Sequence, residues 1–188
     1  MRLPRLLFAL VATVTIAACG DNANLAPASI PNVVDTFTIG SLTSSPVAIP
    51  SAYSVADGNV VRTDLTSAFD FAYDVDATGQ HVLLSLEVMR LVTTNGSGPG
   101  MQFTSKAFNQ ISQGPSDGWI TGDTIKVDSG TVLLLRSRIV CGGLGVPLYG
   151  KMEVLSIDDT PGNQTMKFQA LSNENCGYKS LLPGLPRD

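Results

Sequence analysis

Histidine and tryptophan are scarce in this chain of 188 residues, which contains only His81 and Trp119. The common serine and cysteine hydrolases depend on a histidine base, and no G-x-S-x-G turn is present to pair with His81. A metal site is also disfavoured, because there is no second histidine and no Cys-x-x-Cys pair. We therefore expect that the protein is not an enzyme and that His81 lies on the solvated face of a strand.

Basic residues are few and form no cluster. The formal net charge is −4 at pH 7, and it is more negative still without Arg2 and Arg5 near the N-terminus. A mildly acidic surface without basic patches argues against nucleic acid and anionic lipid headgroups as partners. Hydrophobic residues make up 44% of the chain, which is enough for a packed core and argues against disorder.

Two carboxylate patterns bear on glycoside hydrolysis and on calcium binding. Asp70 and Asp74 would share a strand face roughly 13 Å apart. That is wider than the roughly 6.5–9.5 Å of inverting glycosidases, so we predict that both are surface residues. Residues 74–79 (DVDATG) begin like a calcium loop, but Ser85 stands where such loops need a bidentate glutamate. A hairpin turn is the favoured interpretation, with calcium binding as the alternative.

The N-terminus has the layout of a secretory signal peptide. Arg2 and Arg5 precede an uncharged apolar run at residues 6–18 (LLFALVATVTIAA). This run is shorter than the roughly 20 residues that a membrane-spanning helix needs. Its lack of a polar face also makes a buried helix of the mature domain a poor interpretation.

The end of this run, residues 16–19 (IAAC), resembles the lipobox of bacterial lipoproteins. The resemblance implies cleavage between Ala18 and Cys19, with diacylglycerol and usually a further acyl chain such as palmitate attached at Cys19. Each buried CH₂ contributes roughly 0.8 kcal/mol, so two or three chains form an effectively permanent anchor. Because Gly20 rather than an aspartate follows the cysteine, the resemblance favours the outer membrane of the cell envelope.

The chain is accordingly divided into three parts. We predict a lipoprotein signal peptide at residues 1–18, a flexible tether at residues 19–33 and a β-rich domain at residues 34–188. The tether is polar and rich in proline, glycine and asparagine, as a flexible linker should be. The expected partner is the lipid bilayer, which the protein reaches through Cys19.

Export also bears on the other two cysteines, Cys141 and Cys176. In an oxidising compartment they form an even pair, so we predict a disulfide, with two separate buried thiols as the alternative. They lie 35 positions apart, and closing a loop of that length stabilises by about 3–4 kcal/mol in the chain-entropy model.

From residue 33 onward, apolar and polar residues alternate with the period of a β-strand. Turn sequences separate the apolar runs, for example residues 95–100 (NGSGPG) and 158–163 (DDTPGN). The longest predicted strand is residues 80–92, and residues 104–111 fit either a short amphipathic helix or a strand. The predicted fold class is all-β: a single antiparallel β-sandwich or open barrel with at most one short helix.

Two short blocks resemble the HmuY-like haem-binding lipoproteins: residues 69–73 (FDFAY) and residues 149–152 (YGKM). The resemblance implies an all-β fold and capture of haem for an outer-membrane transporter. Family members that use paired axial histidines need two, and this chain has only His81. Other candidate ligands are present, although no motif places them at a ligand position: Met89, Met101 and Tyr149.

These observations favour a membrane-anchored envelope lipoprotein with a non-enzymatic β-rich domain, which binds an unknown ligand or has a structural role. A haem-binding lipoprotein is the alternative.

The lipid anchor predicts the behaviour of one variant. In Cys19→Ser the acyl acceptor is lost, so the protein should move from the membrane fraction to the soluble fraction and lose its labelling by radioactive palmitate. Cys141→Ser, which leaves Cys19 intact, is the matched control and should stay with the membranes. Unchanged fractionation of Cys19→Ser would refute the anchor.

Overall fold

The computed structural model describes residues 25–92 and 97–187. Ten strands and one turn of 3₁₀-helix follow one another along this part of the chain: β1 Val34–Gly40, β2 Ala52–Ser54, β3 Asn59–Val61, β4 Phe71–Val75, β5 His81–Ser85, β6 Gly100–Phe103, the 3₁₀ turn Phe108–Gln110, β7 Ile125–Lys126, β8 Val132–Cys141, β9 Val146–Asp158 and β10 Thr165–Asn173. No helix among the described residues is long and apolar enough to cross a membrane.

The strands form two antiparallel five-stranded sheets that pack as a β-sandwich. The first sheet has the order β1-β10-β9-β8-β6, and the second has the order β3-β2-β4-β5-β7. The predicted all-β sandwich is therefore confirmed, and the sheets do not close into a barrel. Met101, in the edge strand β6, forms an isolated antiparallel bridge with Ile120, in the segment that leads to β7.

The core lies between the sheets, where the alternation of strand side chains directs one apolar face of each sheet inward. Phe37, Tyr53 and Phe168 form an aromatic cluster with ring centroids 5.5–5.6 Å apart. Aliphatic side chains from β5, β8 and β9 complete the core, among them Leu83, Leu135, Met152 and Val154.

A second apolar cluster covers the outer face of the first sheet. Phe108 and Ile111, from the segment predicted as a helix or strand, are buried there against Tyr149 and Leu181. Only Phe108–Gln110 is helical, as a single 3₁₀ turn. The Nζ atom of the buried Lys151 donates to the carbonyls of Phe108 and Ile111, at 3.0 and 2.9 Å. These bonds fix the segment as a cover over the sheet, so it forms neither an extended helix nor a strand.

The long strand predicted at residues 80–92 is shorter in the structure, since β5 ends at Ser85. The Ser85 side chain donates to the Thr121 carbonyl and accepts the Val88 N–H, while the Met89 N–H bonds to the Ser85 carbonyl. These bonds form a turn, and the chain then leaves the sheet.

The predicted hairpin between β4 and β5 is present. Oδ1 of Asp76 accepts the N–H groups of Thr78 and Gln80, at 2.8 and 2.9 Å, and the Thr78 hydroxyl. Gly79 has φ +82°, which a residue with a side chain rarely adopts. Three donors thus occupy the Asp76 oxygen that the calcium interpretation would use.

The prediction that His81 faces solvent is wrong, because only 11% of its side chain is exposed. Its ring stacks on Tyr73 with centroids 6.0 Å apart. Nδ1 lies 2.7 Å from the Tyr73 hydroxyl, and Nε2 lies 2.9 Å from Asp159. The aromatic neighbour and the two polar contacts together hold the ring against the end of the sandwich.

The prediction that Asp70 lies on the surface is also wrong, because it is fully buried. One carboxylate oxygen accepts the N–H groups of Val55 and Ala56, at 2.8 and 3.3 Å. The other accepts the backbone N–H and Nη1 of Arg138, at 2.7 and 3.3 Å. Val55 follows β2 and Arg138 lies in β8, so Asp70 joins the two sheets. Burial raises the pKa of Asp70, and these bonds counteract part of that rise.

A substitution at Asp70 tests the importance of this junction. Asp70→Asn places an NH₂ group among N–H donors and leaves the Arg138 guanidinium without its buried carboxylate. We expect a loss of about 2–4 kcal/mol in the free energy of unfolding, measured by urea denaturation. Asp64→Asn, at the exposed Arg62–Asp64 pair, is the control and should unfold like the unmodified protein. If both variants behave alike, Asp70 does not fasten the sheets.

Candidate functional site

The N-terminal segment that the structure describes packs on the domain. Oδ1 of Asn175 accepts the N–H groups of Ser29 and Ile30, at 2.9 and 3.0 Å, and Nδ2 of Asn175 donates to the Ile30 carbonyl. Asn32 pairs with Gly184 through two backbone hydrogen bonds of 2.8 and 2.9 Å. Residues 25–33, which belong to the predicted tether, are thus fastened to the C-terminal segment.

The disulfide predicted between Cys141 and Cys176 is present, and it lies beside this docked segment. It joins the end of β8 to the chain just after β10. Gly177 follows Cys176 directly and has φ +86°. A Cβ at Gly177 would lie only 2.6 Å from Cδ2 of Leu25, so glycine allows Leu25 to pack closely there. Ala18 and Cys19, the predicted cleavage and lipidation residues, lie outside the described residues.

A pocket of about 280 Å³ opens between the sheets at the end where β1 begins. We call it the tether-end pocket. The docked N-terminal segment, both sheets and the β2–β3 turn contribute its lining residues: Ile30, Pro31, Val33, Asp35, Phe37, Tyr53, Gly58, Ala170, Ser172 and Glu174. Most of this wall is apolar, and the polar groups are two hydroxyls and two carboxylates. Such a combination is typical of small-molecule sites.

The hydroxyls of the pocket belong to Tyr53 and Ser172, whose oxygens lie 2.9 Å apart. Burial raises the pKa of Tyr53 above its ordinary value. The phenol therefore stays protonated at neutral pH, as a hydrogen-bonding group rather than an anion. The pocket thus has a neutral polar pair beside the aromatic rings of Phe37 and Tyr53.

The carboxylates of the pocket belong to Asp35 and Glu174. Among the residues that the structure describes, no salt bridge reaches either of them. Burial, together with the nearby negative charge of Asp57, raises the pKa of Glu174. A cation in the pocket would offset this unfavourable environment of the ionised form, and the neighbouring rings could contact its charge or its apolar body.

A larger open cleft of about 560 Å³ lies at the opposite end of the sandwich, and its lining includes Asp74, Asp76 and Asp123. Two of these carboxylates have local partners. Oδ1 of Asp74 accepts the Ser41 and Thr43 hydroxyls, at 2.6 and 2.8 Å, and Asp76 holds the β4–β5 turn. Two of the three carboxylates of the cleft are therefore already occupied by hydrogen bonds within the fold, and we regard the tether-end pocket as the better candidate.

The candidate haem ligands are not gathered around either cavity. Both ring nitrogens of His81 already have partners, and none of the four candidates lines either of these two cavities. Met101 and Met89 pack in two different apolar clusters, while Tyr149 is buried beside Trp119. The described residues thus do not fit haem. In the same part of the chain, no three His, Cys, Asp or Glu residues form a metal-binding group.

The two blocks that resemble the haem-binding family serve the fold instead. Asp70, in the first block, joins the sheets, and Lys151, in the second, holds the outer cover.

Comparison with protein-family models and with curated proteins finds no match.

Sequence reasoning missed the tether-end pocket. One signal was available, because in residues 33–37 (VVDTF) the alternation places Asp35 on the same strand face as Phe37, the face that packs on the core, although Asp35 itself is exposed at the start of β1. A carboxylate on such a face is an indication of a site or a buried partner. No such signal exists for Tyr53, Ser172 and Glu174, which join Asp35 only through the strand pairing.

Proposed function

We propose that this chain is a lipid-anchored protein of the bacterial cell envelope whose β-sandwich binds a ligand and catalyses no reaction. The anchor rests on the signal-peptide layout and the IAAC sequence before and at Cys19. In this proposal the protein is carried on the outer membrane, and the tether-end pocket is the binding site.

The observation that carries the binding proposal is the pairing of apolar walls with two carboxylates for which the described residues supply no cationic partner. A ligand that suits this lining has an apolar body and a positively charged end, either as a free amine or as a side chain of a partner protein. The body would contact Phe37 and Val33, and the charge would lie near Asp35 and Glu174. Such pairs are stronger where they are partly shielded from water.

In this proposal the pocket binds its ligand without catalysis, and two features support it. Its hydroxyls bond to each other, and the only histidine lies at the opposite end of the sandwich, beside Asp159. The bases near Tyr53 and Ser172 are then the carboxylates of the same pocket, which the proposal assigns to binding a cation rather than to proton transfer.

A matched set of probes tests the proposed charge preference. Soluble Cys19→Ser protein is titrated with benzylammonium, benzyl alcohol and benzoate, which share one ring, and binding is followed by NMR shifts of the pocket amides. We expect benzylammonium to bind best and benzoate to show no saturable binding. As the pH is lowered, Glu174 should lose its charge and the affinity for benzylammonium should fall. Because the pKa of Glu174 is raised, this fall should occur at a higher pH than it would for an ordinary glutamate.

Two variants locate the binding. Glu174→Gln removes one charge with little change in size and should weaken benzylammonium about tenfold, the effect of roughly 1.4 kcal/mol. Asp123→Asn, in the larger cleft, is the control and should leave the affinity unchanged. The proposal would be contradicted if benzoate and benzylammonium bound equally well, or if Glu174→Gln left the affinity for benzylammonium unchanged.

A further inference from the structure

The hairpin that joins β8 to β9 exposes a tip without any polar side chain. Residues 139–147 (IVCGGLGVP) contain only aliphatic residues, glycine, proline and the bridged Cys141. The side chains at the tip face water, with Ile139 51% and Leu144 50% exposed. An exposed apolar tip is unfavourable in water and indicates contact with another apolar phase.

The end of the described chain that leads toward Cys19 lies next to this hairpin. Leu25, the first residue that the structure describes, packs on Gly177, and the adjacent Cys176 is bonded to Cys141 at the hairpin base. Only residues 20–24 separate Leu25 from Cys19. Even fully extended, that stretch reaches at most roughly 20 Å. An anchor at Cys19 therefore keeps this end of the domain close to the bilayer.

The two ends of the first sheet also differ in the polarity of the hairpins that they carry. At the end nearer Cys19, Val33 and Val34, around the start of β1, are exposed in addition to the hairpin side chains. At the opposite end, the β9–β10 turn at residues 158–164 (DDTPGNQ) is polar and acidic. Arg138, the charge nearest the hairpin in sequence, is turned toward Asp70 and Asp57. The far end also exposes Val47 and Phe103, and the end nearer Cys19 differs by carrying its exposed apolar side chains on a hairpin without polar residues.

We propose that the hairpin at residues 139–147 dips into the boundary between headgroups and acyl chains beside the lipid anchor. The partner of the hairpin is the bilayer. The contact depends on burial of apolar side chains, because the hairpin has no basic residue to attract anionic headgroups. The hairpin thereby fixes the orientation of the domain and turns the mouth of the tether-end pocket toward the membrane surface. This inference rests on the anchor of the proposed function.

The test uses the full lipidated protein in vesicles and a single tryptophan as a depth probe. Trp119→Phe supplies the background, and it costs no hydrogen bond to the described part of the chain, where the indole N–H of Trp119 has no acceptor. Leu144→Trp is the probe at the hairpin. Val47→Trp is the matched control, because Val47 is also exposed and follows the far end of β1. Quenching by brominated phosphatidylcholine is measured after flotation of the vesicles.

We expect Leu144→Trp to be blue-shifted and quenched at least about twofold more than Val47→Trp, with no change at high salt. If both probes float with the vesicles but are quenched alike, the anchor holds and the hairpin proposal is overturned. If the tryptophan is blue-shifted without quenching, a protein contact covers the tip, and the proposal is again overturned. If neither protein floats with the vesicles, the anchor itself fails and the hairpin proposal fails with it.

Discussion

The carboxylate of Asp70 is buried where the two sheets meet, and it accepts four hydrogen bonds, from Val55, Ala56 and Arg138. The register of β8 with β9 is irregular between Arg136 and Ile139, which frees the Arg138 N–H to point at Asp70 rather than at β9. A buried carboxylate without these donors would be strongly unfavourable. The alignment of the sheets at this end therefore depends on Asp70, and the hairpin, disulfide and pocket are all built at the same end.

The period-two pattern was sufficient to predict the fold class, because long alternating runs bounded by turn residues allow little else. It did not predict the position of Asp70, since alternation alone places an aspartate between Phe69 and Phe71 outward. The backbone donors that stabilise it inside come from residues 15 and 68 positions away in sequence. Similarly, the end of β5 depends on a bond from Ser85 to the distant Thr121, which no local pattern reveals.

The candidate site was less predictable than the fold for the same reason. The disulfide followed from counting cysteines in a chain with a predicted signal peptide, which needs no geometry. The pocket requires the pairing of β1 with β10 and the docking of residues 25–33, both of them contacts between distant parts of the chain. These contacts bring the docked segment, the disulfide and two carboxylates without a salt bridge to any described residue to one end. In the proposed function, anchoring and ligand binding then occur on the same membrane-facing side.

The intact mass of the protein extracted with detergent from bacterial membranes tests this account most directly. The account predicts the mass of residues 19–188 with one disulfide, increased by a diacylglyceryl group and one further acyl chain. A mass that corresponds to residues 1–188, or to residues 19–188 without lipid, would contradict it, because the domain would then have no anchor to hold its pocket and hairpin at the bilayer.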